Sequence, residues 1–231
     1  KQHLTIIDRK HTPQSIVQRF DDMIDFSSLL QENFILYNGP ECGASAPDHA
    51  HFQACGKEEE LEGALSADWH KELLIEKSNV EIHSIDNPVT AILIQTKDKA
   101  TMSRTFKQLY DILAADKNGK EPMMNILTWY GLEKHKDFFQ GYYESELKDL
   151  TLRYHCMIFL RSKHRPDCYY AEGDEQILIS PAIAEMNGIF PVVREEDFPK
   201  LTPEKIYEIR REVSMPQDEF IKITERIKAA L

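Results

Sequence analysis

Three polar side chains follow one another on one face of a predicted strand, and together they could act on a phosphate ester. Successive side chains of a strand point to opposite faces, so in the strand predicted for residues 49–55 His49, His51 and Gln53 lie together. A neutral imidazole can attack phosphorus when its other ring nitrogen is held by a hydrogen bond, and His51 is the central candidate nucleophile. The Gln53 amide can hold an oxygen but cannot exchange protons as a histidine does, which favours transfer to a second phosphate over hydrolysis.

The loop before this strand has the composition of a phosphate-binding loop. Residues 39–47 are rich in small side chains, among them Gly43 and Ser45, and small residues let a phosphate approach backbone N–H groups closely. Ser45 adds a hydroxyl donor, and Asn38 adds a side-chain amide just before the loop. The pattern therefore predicts donors for phosphoryl oxygens beside the imidazoles.

The segment His49-Ala-His-Phe-Gln53 resembles the His-x-His-x-Gln signature of the nucleotidyltransferase branch of the histidine triad superfamily. That branch includes galactose-1-phosphate uridylyltransferases, diadenosine tetraphosphate phosphorylases and GDP-hexose phosphorylases, and the form with Phe before Gln is most similar to the last group. Hydrolases of the superfamily usually carry a third His at the place of Gln53. The resemblance implies a covalent nucleotidyl intermediate on His51, and phosphate contacts from Ser45 and from Asn38, which lies thirteen residues before His51.

The same resemblance implies a duplicated histidine triad-like fold. Residues 1–120 would form the half that carries the motif, and residues 121–231 a second half with the C-terminal helices, within one compact unit. The basic segment 161–166 resembles a segment near the nucleotide in the phosphorylases, which implies nucleotide contacts from the basic side chains Arg161, Lys163 and Arg165. The chain departs from the family pattern by one residue, Asp48, inserted between Ser45 and the first motif His.

Two imidazoles on one strand face could instead chelate a metal. The spacing of His49 and His51 is similar to a cupin pair, and Glu58 to Glu60 follow it. A cupin-like metal binder and a non-catalytic nucleotide binder are therefore the alternatives. Within the resemblance, the first motif His binds zinc in some uridylyltransferases together with an upstream cysteine pair, which this chain lacks. We therefore assign no metal and expect that no cofactor is required.

The elements that would position these residues follow one another without a regular alternation of strand and helix. The predicted strands are residues 3–7, 34–37, 49–55, 80–85, 90–97, 123–130, 152–161 and 176–180. The predicted helices begin at Thr12-Pro13, at the charged segment 58–77, ahead of the apolar face 106–113, and near Pro181, Thr202 and Met215-Pro216. Such an order predicts an α+β fold with a mostly antiparallel sheet and flanking helices. The loop 116–122 is the candidate boundary between the two halves.

Composition limits the classes of partner. The formal net charge of the 231 residues is −11, which disfavours nucleic acid but leaves room for a small nucleotide and for a phosphate or sugar phosphate as acceptor. The four cysteines form no C-x-x-C pair, and there is no signal peptide and no apolar run near 18 residues, so we expect a cytoplasmic protein away from membranes. The chain begins directly with a predicted strand and without Met, which suggests a fragment.

Overall fold

The structure, a computed structural model, describes residues 3–57, 69–131 and 151–231. Within these residues the strands form one eight-stranded sheet in the order β1-β3-β2-β7-β8-β6-β5-β4, and every neighbouring pair is antiparallel. The strands are β1 (His3–Ile7), β2 (Asn33–Asn38), β3 (His51–Gly56), β4 (Lys71–Lys77), β5 (Val80–Ile85), β6 (Ala91–Thr96), β7 (Met124–Gly131) and β8 (Arg153–Leu160).

Helices pack on both faces of this sheet. They are α1 (Phe20–Leu29), α2 (Lys99–Ala114), α3 (Asp167–Tyr170), α4 (Ile183–Met186), α5 (Pro203–Val213) and α6 (Gln217–Ala230), with short 3₁₀ helices at Gly173–Glu175 and Glu195–Lys200. The predicted α+β class with an antiparallel sheet is therefore confirmed. No helix in the described part of the chain is long and apolar enough to span a membrane.

The two faces of the sheet bury different side chains. On one face, which we call the helix face, α1, α2 and α6 cover an apolar cluster that includes Phe52, Ile126 and Ile158. The opposite face carries α4 and the end of α5 over a second cluster that includes Leu36 and Leu127. Because side chains alternate along each strand, the second face is also the face of His51 and Gln53; we call it the site face.

The antiparallel pair β7-β8 lies in the middle of the sheet, with β1 to β3 on one side and β4 to β6 on the other. β7 pairs with β2, and β8 pairs with β6, so this pair lies between strands that precede the loop 116–122 in sequence. The strands of the predicted halves, 1–120 and 121–231, therefore interleave within a single sheet. The duplication of a histidine triad-like fold stays a prediction.

Three predicted elements differ in the structure. The first helix begins at Phe20 and not at Thr12-Pro13, because the preceding backbone bonds elsewhere: the Ile16 N–H donates to Glu121 Oε2 at 2.8 Å. Residues 71–77, predicted as helix, form β4, which pairs with β5 and turns Leu74 and Ile75 toward the helix-face cluster. The rest of that predicted helix, residues 58–68, lies outside the described residues.

The strand predicted at residues 176–180 is also wrong. This segment is bonded to neighbouring loops: the Leu178 N–H donates to Asp197 Oδ2 at 2.9 Å, and the Ile177 N–H donates to the Cys168 carbonyl oxygen at 2.9 Å. The other predicted elements correspond to strands and helices of the structure, including α4 with Gly188 after it at φ +99°.

Candidate active site

The side chain of His51 is oriented by the backbone two residues before it. His51 is 5% exposed at the start of β3, and its Nδ1 lies 2.9 Å from the carbonyl oxygen of His49. A carbonyl oxygen only accepts hydrogen bonds, so Nδ1 carries a proton, and in the neutral ring Nε2 is the nitrogen with the lone pair. Nε2 has no hydrogen-bond partner among the described residues. The ring is thus arranged as a nitrogen nucleophile.

His49 lies in the loop before β3 and not on the strand, so the predicted row of three strand residues is wrong in its first member. The His49 N–H donates to the Ala46 carbonyl oxygen in a turn at 3.1 Å, and the Ala50 N–H donates to the Thr12 carbonyl oxygen at 2.7 Å, which replaces strand pairing here. The His49 Nε2 lies 2.9 Å from the Asp8 carbonyl oxygen, and its ring packs against another histidine, His11, with centroids 4.1 Å apart.

Gln53 remains on the site face, two residues along β3 from His51. Its backbone is opposite Thr5 of β1 and Leu36 of β2, and its side chain is partly buried. The two-residue repeat of a strand places it beside His51 on this face. The spacing predicted from the sequence is therefore kept for the second and third members of the motif.

Asn38 ends β2 next to the start of β3, and its side-chain amide has a defined orientation. The Asn38 Oδ1 accepts one hydrogen bond from Asn125 Nδ2 at 2.7 Å and one from the Ile183 N–H at 2.8 Å. Both donors meet the oxygen, so the NH2 group of Asn38 points elsewhere, and it donates to none of the described residues. Asn38 is 6% exposed, and its amide donor is thus held rigidly at the end of the strand.

Gln14 fastens the ends of the two site strands to each other. Regular pairing of β2 with β3 reaches Leu36 opposite Gln53 and no further. Beyond that point the Gln14 Nε2 donates to the carbonyl oxygens of Asn38 at 2.9 Å and of His51 at 3.1 Å, and the Gln14 Oε1 accepts from the His51 N–H at 2.9 Å. The amide of Gln14 takes the place of the missing backbone pairing at the candidate nucleophile.

The small-residue loop packs closely against the chain that leads into α4. Gly43 has φ +85°, and a Cβ atom there would lie 2.6 Å from the Cβ of Ala182 and 3.0 Å from the Pro181 carbonyl oxygen. Only glycine fits such a contact, so the loop conformation depends on it. Ser45 is exposed, and its hydroxyl forms no hydrogen bond with a described residue.

Arg161 lies directly behind this loop, and its guanidinium donates to oxygen atoms of the protein. It is 3% exposed, and its guanidinium donates to Asn125 Oδ1 at 2.6 Å. The remaining donors are bonded to four carbonyl oxygens, those of Pro181 (2.9 Å), Lys163 (3.0 Å), His164 (3.0 Å) and Val213 (3.2 Å). Its donors face the protein interior.

The other two basic residues of the segment have partners of their own. Lys163 forms ion pairs with Glu212, at 2.5 Å, and with Asp167. The Arg165 Nε donates to Ser180 Oγ at 3.1 Å, and its guanidinium lies over the Tyr169 ring, 4.2 Å from the centroid. Their contacts with a nucleotide stay a prediction.

The thiols near the motif are arranged for packing. Burial raises the pKa of Cys42 to about 11 and that of Cys55 to about 11, so both stay protonated near neutral pH.

Trp129 is 7% exposed and stacks on the His155 ring with centroids 4.5 Å apart, and Trp69 packs edge-on against Phe159. These contacts give the tryptophans a place in the core of the site face.

The cupin-like alternative finds little support in the arrangement of ligands. His49 lies in the loop before β3, so the two imidazoles do not form the predicted pair on one strand face. Within the ranges that the structure covers, no group of three His, Cys, Asp or Glu side chains could hold a metal ion. The glutamates 58–60 lie outside those ranges.

Two residues of the site were missed by sequence reasoning, Gln14 and Asn125. Asn125 had a signal: it is a polar residue inside the strand Met124–Gly131, where the neighbouring positions are apolar, and it is fully buried. A buried polar side chain needs partners, so it marks a hydrogen-bond network. Gln14 follows Thr12-Pro13 in a segment that reads as a helix start, and nothing in its surroundings distinguishes it.

Two protein-family models match separate parts of the chain. Residues 156–231 match a protein-family model described as "GDPGP1-like, C-terminal domain", and residues 1–56 match one described as "Domain of unknown function (DUF4922)". No curated protein matches the chain. The first match begins within β8, at Cys156, and includes the segment that begins with Arg161.

Two solved structures are similar to the chain at low identity. A DUF4931 family protein from Bacillus cereus ATCC 10987 is 17% identical with a TM-score of 0.41, over 97% of this chain and 89% of that one. A structure described as that of a uridylyltransferase is 12% identical with a TM-score of 0.41, over 100% of this chain and 74% of that one.

Proposed function

We propose that the protein transfers a nucleotide through a covalent intermediate on His51. The observation that carries the proposal is the hydrogen bond from His51 Nδ1 to the His49 carbonyl oxygen, which selects the tautomer whose lone pair is on Nε2. A neutral imidazole attacks through this lone pair without a general base. The match of residues 156–231 supports the same class of protein.

The first step joins Nε2 to the α-phosphorus of a nucleoside diphosphate sugar or dinucleoside polyphosphate. The P–N bond forms as the P–O bond to the leaving phosphate breaks, and the electron pair of that bond departs with the leaving phosphate. In the second step an oxygen of inorganic phosphate or of a sugar phosphate attacks phosphorus, the P–N bond breaks, and the electron pair returns to Nε2. The proton on Nδ1 stays in place throughout, held by the His49 carbonyl oxygen.

Charge on the phosphoryl oxygens would be met by fixed donors. Asn38 ends β2 next to the start of β3, and its NH2 group has no partner among the described residues. The exposed hydroxyl of Ser45 and the backbone around Gly43 lie in the loop that follows β2. Donors that are already oriented stabilise developing charge without reorganisation in the transition state. In this proposal Asn38 is the principal phosphate donor.

Gln53 explains why transfer is favoured over hydrolysis. A leaving phosphate has its second pKa near about 6, so it departs as an anion and needs no general acid. An incoming phosphate oxygen is likewise a nucleophile without help, whereas water would need a base. An amide at position 53 can hold the leaving or entering oxygen but cannot supply a base. The residue thus selects a phosphate acceptor.

The test is to capture the intermediate. Purified protein is incubated with GDP-glucose, UDP-glucose, ADP-glucose and diadenosine tetraphosphate, each labelled at the α-phosphate, and acid-labile, base-stable label on protein is counted. We expect label from at least one probe, its loss in His51→Ala, and its release by inorganic phosphate or glucose 1-phosphate. His11→Ala is the control, since this histidine lies against His49 and is exposed.

Three outcomes would contradict the proposal. Wild type that takes label from none of the four probes is not a transferase of this kind, and binding of a probe without labelling would leave a nucleotide-binding protein. Label that persists in His51→Ala would place the nucleophile elsewhere. Label that water removes as fast as phosphate does would make the protein a hydrolase.

A further inference from the structure

We propose that Asn125 is a positioning residue for the transfer, and that Arg161 fixes its orientation so that Asn38 presents its NH2 group to phosphate. This inference rests on the function proposed above. Asn38, Asn125 and Arg161 come from β2, β7 and the residue after β8, which are adjacent in the sheet. We call these three side chains the amide relay.

The partners of Asn125 determine which of its terminal atoms is the oxygen and which is the nitrogen. An arginine can only donate, so the atom of Asn125 that it meets at 2.6 Å is the oxygen Oδ1. The other terminal atom of Asn125 is therefore the nitrogen, and it lies 2.7 Å from the Cys42 carbonyl oxygen, which can only accept. Two independent partners assign the same orientation to the Asn125 amide.

That orientation determines the next amide along the sheet. The Asn125 Nδ2 also lies 2.7 Å from Asn38, and a donor there requires the oxygen of Asn38 at that place. The Ile183 N–H, 2.8 Å away, requires the same. The NH2 group of Asn38 is left as the only part of its amide without a protein partner among the described residues. The two hydrogen bonds thus prevent the Asn38 amide from rotating by half a turn, and its NH2 group stays available as a donor.

The relay also ties the phosphate loop to the site. Through one NH2 group Asn125 bonds both Asn38 and the carbonyl oxygen of Cys42, in the loop before Gly43. Through one guanidinium NH2 group Arg161 bonds both Asn125 and the Pro181 carbonyl oxygen, against which Gly43 packs. One network therefore holds the loop and the Asn38 donor in a fixed relation.

Arg161 acts in this network from a distance. It is buried, and its donors are bonded to five oxygen atoms of the protein, so a phosphate could reach it only by displacing them. Buried arginine needs such acceptors, since an unpaired buried charge is costly. The basic residue thus acts on the phosphate through two amides.

The substitution Asn125→Asp tests the relay with the smallest change of shape. A carboxylate still accepts from Arg161, but it turns the donor to Asn38 Oδ1 into a second acceptor. Asn38 then rotates or withdraws, and its NH2 group no longer faces the phosphate. The control is Thr128→Val on the same strand, which removes the hydrogen bond of 2.7 Å to Ser27 on the opposite face.

The rate of labelling is measured in a single turnover with whichever of the four probes labels wild type. Loss of one fixed oxyanion donor lowers a rate by about 10²-fold, and we expect that loss in Asn125→Asp and in Asn38→Ala, with Thr128→Val at the wild-type rate. In the double variant with both Asn38→Ala and Asn125→Asp, the labelling rate should be little lower than in Asn38→Ala alone, because the donor is already absent. Equal slowing in both backgrounds would mean that Asn125 is merely structural and would overturn the proposal.

Hydrogen exchange of the side-chain amides tests the relay in the wild-type protein. In nitrogen-resolved NMR spectra the NH2 protons of Asn125 should be protected from exchange, and those of Asn38 should exchange fast and shift when inorganic phosphate is added. The reverse pattern would overturn the relay, even in a protein that takes no label. Absence of label with the expected exchange pattern would instead contradict the proposed function.

Discussion

The substitution Gln14→Glu removes donors from the ends of both site strands while changing little in shape. Gln14 is 4% exposed, and its NH2 group bonds the carbonyl oxygens of Asn38 and His51, whereas its Oε1 accepts the His51 N–H. A carboxylate keeps only the last of these bonds. It also sets an acceptor at about 3 Å from each of two carbonyl oxygens.

The expected loss of stability follows from counting the carbonyl groups that lose their donor. Two buried carbonyl oxygens without a donor cost about 1–3 kcal/mol each, so the free energy of unfolding should fall by about 2–6 kcal/mol near neutral pH. This is a large share of the roughly 5–15 kcal/mol that stabilises a typical domain. The introduced carboxyl can regain one donor by taking up a proton, so its pKa is raised in the folded state.

The sign of the pH dependence is therefore fixed. A carboxyl whose folded pKa lies above its unfolded pKa contributes stability that is present at low pH and lost as the pH rises through the folded pKa. We expect the deficit of Gln14→Glu relative to wild type to be smallest near about pH 4 and to grow toward about pH 7.

Urea unfolding across this pH range measures the deficit, and the single-turnover labelling rate reports the position of His51. Gln31→Glu is the matched control, because Gln31 is exposed and, among the described residues, its side chain bonds only the Ser28 carbonyl oxygen. Its change should stay within about 0.5 kcal/mol. A deficit in Gln14→Glu that is no larger than in the control, or that shrinks as the pH rises, would refute the reasoning. So would a destabilised variant that labels at the wild-type rate.

Two further substitutions test the supports around the site. Gly43→Ala should lower the free energy of unfolding by about 2–5 kcal/mol, since a left-handed φ costs about 1–2 kcal/mol and an overpacked Cβ about 1–3 kcal/mol. In urea unfolding, the second substitution Ala182→Gly should restore only the part of this loss that is due to packing. Full recovery of the free energy of unfolding would disprove the φ contribution. Burial raises the pKa of the Glu121 carboxyl above its ordinary value of 4.5, despite its hydrogen bonds to Ile16, Ser15 and Tyr37. Wild type should therefore lose stability as the pH rises above that ordinary value. Glu121→Gln should remove that decline in urea unfolding followed against pH, and an unchanged slope would show that another group titrates.

Much of the fold could be predicted because the local patterns are strong. The periodic apolar face around Phe106 and Leu109 gives α2, and the β-branched and apolar runs give β5 to β8. Two of the failures share a physical cause. The N–H groups of Ile16 and Leu178 donate to side chains further along the chain, Glu121 and Asp197, and such partners leave no local trace in the sequence.

The candidate site could be predicted only in part. His51, Gln53 and Asn38 have residue types and spacings that point to their chemistry, and the structure lays all three at neighbouring positions of adjacent strands. The residues that hold them do not form a motif. Gln14 lies thirty-seven residues from His51 in sequence, and Asn125 lies eighty-seven residues from Asn38. Their relation exists only once the strands are assembled.

Asn38 is held by two separate groups of hydrogen bonds, one to its backbone and one to its side chain. Gln14 holds its carbonyl oxygen, and Asn125 and the N–H of Ile183 hold its side-chain oxygen, so the backbone and the amide are fixed by different elements. The NH2 group of Asn38 is the part of its amide that has no partner among the described residues, so it is available to a ligand. An amide nitrogen can only donate, and in the proposed transfer an anionic phosphoryl oxygen is the acceptor that this fixed donor would bind.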